Sequence, residues 1–281
     1  MNILVTGAKG QLATCIKALD NSSDYNFIYK NSEDLDITDL ISVESFFKRN
    51  KISFCVNCAA YTAVDKAESD QKKAHNVNVN GSENLAKTCA QYNSKLIHIS
   101  TDFVFNGSSN TPYNEDDNTN PLGVYGLTKL EGEQKIQKNL EKYFIIRTSW
   151  LYSEFGNNFL KTMLRLSNNR DELGVVSDQI GTPTYAMDLA HVILKIIKEN
   201  HIAYGIYHYS NEGVASWYDF AFTIFDLSKV KITVNPISTE DFPTPAERPK
   251  YSVLDKTKIK EVFKLEIPHW KNSLKTAISN L

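Results

Sequence analysis

Tyr125 and Lys129 stand four residues apart in the run Tyr125-Gly126-Leu127-Thr128-Lys129. On a helix that spacing stacks both side chains on one face, a turn apart. The pair suits reduction of a ketone, which needs a proton for the oxygen as hydride reaches the carbon. A free phenol titrates near ~10 and is a poor acid–base catalyst until a neighbouring cation lowers that value. Lys129 can be that cation, and its ammonium can also hold the ribose of a nicotinamide. The plainer reading is a core tyrosine beside a solvated lysine. Upstream, His98-Ile99-Ser100-Thr101-Asp102-Phe103 closes an apolar run. Thr101 could hydrogen-bond the ketone oxygen beside Tyr125; alone, it would read as a strand-end cap.

The chain begins with a second constellation, Thr6-Gly7-Ala8-Lys9-Gly10-Gln11-Leu12-Ala13. Gly7 permits a tight turn and Gly10 lets the backbone approach a pyrophosphate. The free N–H groups of a helix start then meet the negative charge, and Ala13 is small enough for close helix–strand contact. A glycine pattern alone also fits a structural turn. Its place directly after an N-terminal strand favours a dinucleotide site. The second strand ends Ile28-Tyr29-Lys30-Asn31-Ser32, with no acid to clasp the ribose hydroxyls of NAD. Lys30 is either a cation for the extra phosphate of NADP or an exposed loop lysine. The cofactor expected is NADPH, with NADH as the alternative.

These groups need a frame. Strands are predicted over 2–6, 26–29, 53–57, 95–100 and 143–147, with helices over 11–19, 41–49, 76–92 and 125–140 between them. That alternation predicts an α/β fold with a doubly wound parallel sheet of Rossmann type. Ligand-binding side chains then gather at the carboxyl ends of the strands. Residues 1–150 form the expected dinucleotide-binding domain. After Trp150 the rhythm changes to a helix over 158–166, a strand over 174–176, a helix over 186–198 and a strand over 205–209. Residues 184–211 should rejoin the main sheet. The rest of 151–281 reads as a smaller, looser C-terminal α/β substrate domain punctuated by prolines. The polar stretch 106–121 is long enough for a lid or rim.

A net charge of −2 gives no electrostatic reason to expect nucleic acid or an anionic membrane as partner. No apolar run is long enough to span a bilayer, and Met1–Gly7 reads as a strand, not a leader. A cytoplasmic location is expected. Cys55 and Cys58 form a lone C-x-x-C within a strand, read as small buried apolar residues. The six histidines lack ligand spacing, so no metal site is expected.

The glycine loop, Thr101 and the Tyr125/Lys129 pair resemble the extended short-chain dehydrogenase/reductases. Further runs narrow the resemblance to the dTDP-4-dehydrorhamnose reductase family. They include Asn57-Cys58-Ala59-Ala60-Tyr61-Thr62-Ala63-Val64-Asp65, Ser100-Thr101-Asp102-Phe103-Val104-Phe105, Arg147-Thr148-Ser149-Trp150, Gly156-Asn157-Asn158-Phe159, Asp178-Gln179-Ile180-Gly181-Thr182-Pro183-Thr184 and Arg248-Pro249. The resemblance covers nearly the whole chain. It implies NAD(P)H-dependent reduction of the C4 ketone of dTDP-4-dehydro-L-rhamnose to dTDP-L-rhamnose. It implies catalysis by Thr101, Tyr125 and Lys129. Cofactor contacts would come from Gly7, Gly10, Gln11 and Leu12, from Asp36 and Ile37 by the adenine, from Ala59, Ala60, Tyr61 and Thr62, and from Asn78. Thr101, Asp102, Phe103, Trp150 and Asn158 would meet the sugar nucleotide. Two departures stand out. Phe103 occupies a position usually held by tyrosine. Ala13-Thr14-Cys15 lacks the glutamate with which some members bind magnesium between subunits, so a monomer or weak homodimer is expected.

Two rivals remain. An epimerase or dehydratase of the same superfamily would keep its NAD and return the hydride; dehydratases place Asp-Glu after the threonine, where this chain has Asp102-Phe103. A regulatory subunit of methionine adenosyltransferase resembles the same reductases and acts as a binding partner. Intact Thr101, Tyr125 and Lys129 favour catalysis.

Overall fold

Side chains alternate along the opening strand: Ile3 and Val5 enter one hydrophobic layer and Leu4 the other. A strand apolar on both faces demands cover on both sides, and the chain supplies it. The structure, a computed structural model, describes residues 1–20 and 25–281. The first elements are β1 (Asn2–Thr6), α1 (Gln11–Leu19), β2 (Asn26–Lys30), α2 (Leu40–Asn50) and β3 (Ile52–Asn57). Next come α3 (Val64–Ala67), α4 (Gln71–His75), a π-helical turn (Asn76–Asn80) and α5 (Gly81–Gln91). β4 (Lys95–Thr101), α6 (Val124–Asn139) and β5 (Tyr143–Thr148) follow.

The C-terminal half holds β6 (Leu151–Tyr152), α7 (Phe159–Ser167), β7 (Glu172–Val176), β8 (Ile180–Gly181) and β9 (Thr184–Tyr185). It continues with α8 (Ala186–Lys198), β10 (Gly205–His208), β11 (Ala215–Ser216), α9 (Trp217–Leu227), β12 (Thr233–Ile237), α10 (Thr257–Phe263) and α11 (Trp270–Ser279).

The main sheet has six parallel strands in the order β10-β5-β4-β3-β1-β2. It is the doubly wound sheet expected from the sequence. α1 and α8 cover one face, with Ile16, Leu189 and Ile193 in a shared apolar layer. α2, α5 and α6 cover the other through Phe47, Leu85 and Ile136. β10 joins as the far edge beside β5, and α8 lies against α1. Strand order reverses between β1 and β3, which opens a crevice at their carboxyl ends. A separate apolar cluster draws on α7, α9 and α11, with Leu160, Phe220, Ile224 and Leu274 fully enclosed.

Three expectations change. The helix expected over 76–92 begins at Gln71 and carries a π turn at Asn76–Asn80. That turn puts Asn78 inward; its carbonyl accepts a hydrogen bond from Ser82 Oγ at 2.7 Å and lies under Gly132 of α6, where a Cβ would come within 2.3 Å. Residues 106–121 are tied down rather than free to act as a lid. Tyr113 exchanges backbone hydrogen bonds with Val253 and Asp255 and stacks on Phe105 at 4.3 Å between centroids. The C-terminal stretch is less loose than its prolines suggested, because α9, α10 and α11 each bury an apolar stripe. α9 even carries a readable start signal, the reciprocal capping box of Ser216 and Asp219.

Candidate active site

A cleft of about 830 Å³ runs along the carboxyl ends of β1, β3, β4 and β5. At its floor the chain turns at Gly7 with φ +66°, and a Cβ there would stand 2.8 Å from the backbone of Cys58 and Ala59. Only glycine fits both constraints. The Gly10 N–H donates to Gly7 O at 2.8 Å, and α1 starts at the next residue with its first N–H groups directed at the cleft. Gly7, Gly10, Gln11 and Leu12 all line it. A glycine turn and the free N–H groups of a helix start thus meet at the cleft floor, an arrangement suited to an anionic group. Asp36 and Ile37 line the same end of the cleft; Ile37 is wedged against Gly81, where a Cβ would overlap it.

Ala59, Ala60, Tyr61 and Thr62 form one wall. Asn78 holds that wall from behind. Its Oδ1 accepts from Tyr61 N–H at 2.8 Å, while its Nδ2 donates to Tyr61 O at 3.2 Å and to Thr128 Oγ1 at 3.1 Å. Asn78 is buried and does not line the cleft. Asn158 is also outside it. Its Oδ1 caps α7 by accepting from Lys161 N–H, and its Nδ2 donates to Gln11 Oε1 at 2.8 Å. Asn158 therefore acts through Gln11 and not as a cleft contact. Lys30 is likewise turned away, its ammonium 5.6 Å from the centre of the Phe46 ring. Lys9 lines the cleft instead, paired with Glu33 at 2.9 Å.

Thr101, Asp102, Phe103, Tyr125, Lys129 and Trp150 meet at the opposite wall. Tyr125 and Lys129 sit on the first two turns of α6, and Thr101 ends β4. The Thr101 hydroxyl lies beside the Tyr125 phenol, and the Phe103 ring meets the Tyr125 ring edge-on at 5.6 Å. Loss of water pushes the phenol up to about 12; the neighbouring Thr101 hydroxyl opposes this and the Asp102 charge adds to it. Lys129 does not lower it in this arrangement, contrary to the sequence expectation. Its side-chain nitrogen lies 2.7 Å from Ile99 O and 3.1 Å from His98 Nε2. Glu133 continues the same face of α6 one turn on. It accepts hydrogen bonds from Ser100 Oγ and from Arg147 Nη2, the latter at 2.7 Å, all fully buried.

A phosphate cradle and a Thr–Tyr–Lys cluster share one crevice, over a sheet wound as predicted. The family model described as RmlD substrate binding domain matches residues 1–281. The chain belongs to that family. A dTDP-4-dehydrorhamnose reductase of Aggregatibacter actinomycetemcomitans is 45% identical, with 97% of each chain covered. A solved dTDP-4-dehydrorhamnose reductase from Clostridium acetobutylicum superimposes with a TM-score of 0.97 at 45% identity, covering 100% of this chain and 99% of that one. The Bacillus anthracis dTDP-4-dehydrorhamnose reductase, solved in complex with NADP, gives 0.96 at 40% identity over 100% and 99%.

Some cleft residues of this RmlD-family chain were not singled out from its sequence. Trp217, the first residue of α9, lies against Trp150 with ring centroids 3.6 Å apart and planes within 9°. Trp150 itself has φ +47°, and its six-membered ring abuts Gly181, where a Cβ would come within 2.7 Å. One face of that indole is thus covered by Trp217. Arg248 also lines the cleft and grips Asp65 with two hydrogen bonds, at 3.0 and 2.8 Å, across 183 residues of sequence. Cys55 is buried as read, whereas Cys58, read as buried too, is half-buried and lines the cleft; Cys15 and Cys89 are buried, and all four are free thiols. Among the described residues no group of three or more His, Cys, Asp or Glu could hold a metal ion. Among them, too, no helix is long and apolar enough to cross a membrane.

Asp102 yields a pH prediction. Its Oδ1 accepts from Thr101 Oγ1 at 3.1 Å, and its buried Oδ2 has no hydrogen-bond partner. Burial raises the carboxyl from 3.8 to about 6. A carboxyl whose folded value lies above its unfolded one loses stability as pH rises between the two, and the cost is complete above the higher. Asp102→Asn removes that cost. The variant should match the parent in thermal unfolding near pH 3 and exceed it by about 3 kcal/mol near pH 7. Equal gains at both pH values would refute the assignment.

Proposed function

We propose that this chain is an NADPH-dependent reductase that converts dTDP-4-dehydro-L-rhamnose to dTDP-L-rhamnose. The observation that carries the reading is the meeting of Thr101, Tyr125 and Lys129 at one wall of a cleft whose other end is a diphosphate cradle. When bound, the reduced nicotinamide supplies the hydride for C4. Everything else is done by side chains of this protein. Thr101 Oγ1 and the Tyr125 phenol hydrogen-bond the ketone oxygen and polarise the carbonyl. Tyr125 gives its proton to that oxygen as C4 becomes tetrahedral. The phenol keeps its proton until then, because the dry cleft holds it far above neutral. Lys129 as an ammonium holds the nicotinamide ribose and replenishes positive charge beside the phenolate.

Residues 1–150, rejoined by 184–211, carry the nucleotide in this reading, and the remainder of 151–281 carries the sugar. Gly7, Gly10, Gln11 and Leu12 take the diphosphate; Asp36 and Ile37 flank the adenine; Ala59 to Thr62 border the nicotinamide half. Asn78 and Asn158 act by holding Tyr61 and Gln11. Asp102, Phe103 and Trp150 meet the sugar nucleotide. We place the enzyme in the cytoplasm, as a monomer or weak homodimer. Light scattering at assay concentration tests the second point.

The decisive experiment follows NADPH oxidation with dTDP-4-dehydro-L-rhamnose. Stoichiometric oxidation and formation of dTDP-L-rhamnose are expected. An epimerised ketosugar formed without net oxidation of NADPH would mean an epimerase instead. Nucleotide binding without turnover would favour a regulatory subunit.

Trp217 supplies a subsidiary test. It backs the indole of Trp150, and an aromatic pair of this kind contributes ~1 kcal/mol beyond its area. Trp217→Ala should raise KM for the sugar nucleotide about 3- to 10-fold, with kcat changed far less. Steady-state kinetics with saturating NADPH measure both.

A further inference from the structure

Beneath the cleft a buried chain of polar groups runs from Thr6 through Asn57 and His98 to Lys129, and the mechanism above uses only the last of them. Asn57 Oδ1 accepts from Thr6 Oγ1 at 2.7 Å and from the Ala59 backbone N–H at 3.2 Å. A backbone N–H can only donate, so the amide cannot be turned round without setting donor against donor. Asn57 Nδ2 therefore faces His98 Nδ1, 3.0 Å away. An amide nitrogen also only donates, so Nδ1 must accept. A neutral imidazole has one proton, and here it belongs on Nε2. The ring is neutral because it is fully buried, and loss of water pushes its pKa far down.

The His98 Nε2–H points at Lys129 Nζ, 3.1 Å away. If Lys129 were an ammonium, two donors would confront each other with no acceptor between them. A neutral amine offers a lone pair there and still donates an N–H to Ile99 O at 2.7 Å. The other groups facing Lys129 do not cancel this preference. Glu133 on α6 is already engaged by Ser100 and Arg147, Cys58 after β3 is a protonated thiol, and Tyr125 is a protonated phenol. Burial brings Lys129 down to about 8, with Glu133 and Cys58 opposing.

We propose that His98 is a positioning residue that holds Lys129 as a neutral amine in the nucleotide-free protein at alkaline pH, so that nucleotide binding there draws up to one proton from solvent onto Lys129. The second half of this rests on the cleft being a nicotinamide-nucleotide site, where Lys129 acts as an ammonium donor to ribose. The proton comes through the open cleft and ends on Nζ; His98 keeps its own proton throughout.

Two measurements test it. The first is long-range proton–nitrogen NMR of histidine-labelled, nucleotide-free protein at pH 9, with the His98 signal identified by its loss in His98→Gln. The neutral Nε2–H form is expected; the Nδ1–H form or an imidazolium would overturn the arrangement. The second is calorimetry of NADP binding at pH 9 in buffers of differing ionisation enthalpy. At that pH the nucleotide's phosphates, whose last proton is lost near ~6, do not titrate. Uptake of roughly 0.5–0.9 proton per nucleotide is expected from a group with a value near 8. His98→Gln offers a carbonyl oxygen to an ammonium and should cut that uptake at least in half. Should that variant fail to fold, Lys129→Met must abolish the uptake and also identifies the His98 signal by its shift. Uptake that survives either substitution overturns the proposal. Failure of NADP to bind at all would defeat the nucleotide reading, and the NMR result would still decide the His98–Lys129 contact.

Discussion

Tyr125→Phe is expected to lower kcat by about 10²- to 10⁴-fold, the range for loss of a positioned general acid. The substitution deletes one oxygen. The ring keeps its edge-on contact with Phe103, and Lys129 keeps its hold on Ile99 O. NADPH affinity should consequently change less than about threefold, within ~0.7 kcal/mol. A loss confined to kcat and kcat/KM marks an interaction made only in the transition state. Stopped-flow reduction with the dTDP-ketosugar and fluorescence titration of NADPH measure the two halves separately. Unchanged turnover would remove Tyr125 from the mechanism; a parallel loss of NADPH affinity would make it a binding residue.

The second large effect concerns stability. Arg147 on β5 and Glu133 on α6 form an ion pair with 3% and 1% side-chain exposure. Arg147 also lies 5.2 Å from the centre of the Phe105 ring and 3.4 Å from His208 Nε2. A buried pair adds little when intact, since desolvation offsets the attraction, but removing one partner strands the other charge at about 3–5 kcal/mol. That is a large share of the ~5–15 kcal/mol that holds a folded protein together. Arg147→Ala should lower the midpoint of thermal unfolding by roughly 5–15 °C. The double variant Arg147→Met with Glu133→Leu should recover most of the loss, because it leaves no unpaired charge. A double no more stable than Arg147→Ala would mean that the guanidinium contributes by filling space.

The same pair explains why the catalytic groups keep their register. Tyr125, Lys129 and Glu133 follow one another at four-residue intervals on α6, so they share a face. Glu133 anchors that face to Ser100, one residue before Thr101, and to Arg147. The spacing of Tyr125 and Lys129 was legible because helical periodicity is local. Glu133 continued the interval in plain view, but nothing local marked its partners.

Legibility elsewhere followed the same rule. Gly7 and Gly10 could be read because a turn between strand and helix is a property of neighbouring residues. The six-stranded sheet was legible because burial on both faces imposes continuous apolar runs on β1, β3, β4 and β5. The helix start at Gln71 was missed because the π turn at Asn76–Asn80 breaks the 3.6-residue period. α9 was missed although Ser216 and Asp219 spell a capping box, because prolines further along suggested loose chain.

By itself, then, the sequence determined the alternation of strands and helices, the phosphate cradle and the presence of a threonine, a phenol and a lysine suited to ketone reduction. These depend on periods of two and 3.6 residues and on the special backbone of glycine, all of which act over short stretches. Only the tertiary structure decided where Lys129 points, which proton His98 carries, that Trp217 backs Trp150, and that Arg248 reaches Asp65 across the chain. Those outcomes depend on which donors and acceptors burial leaves facing one another, and burial joins residues that the sequence keeps far apart.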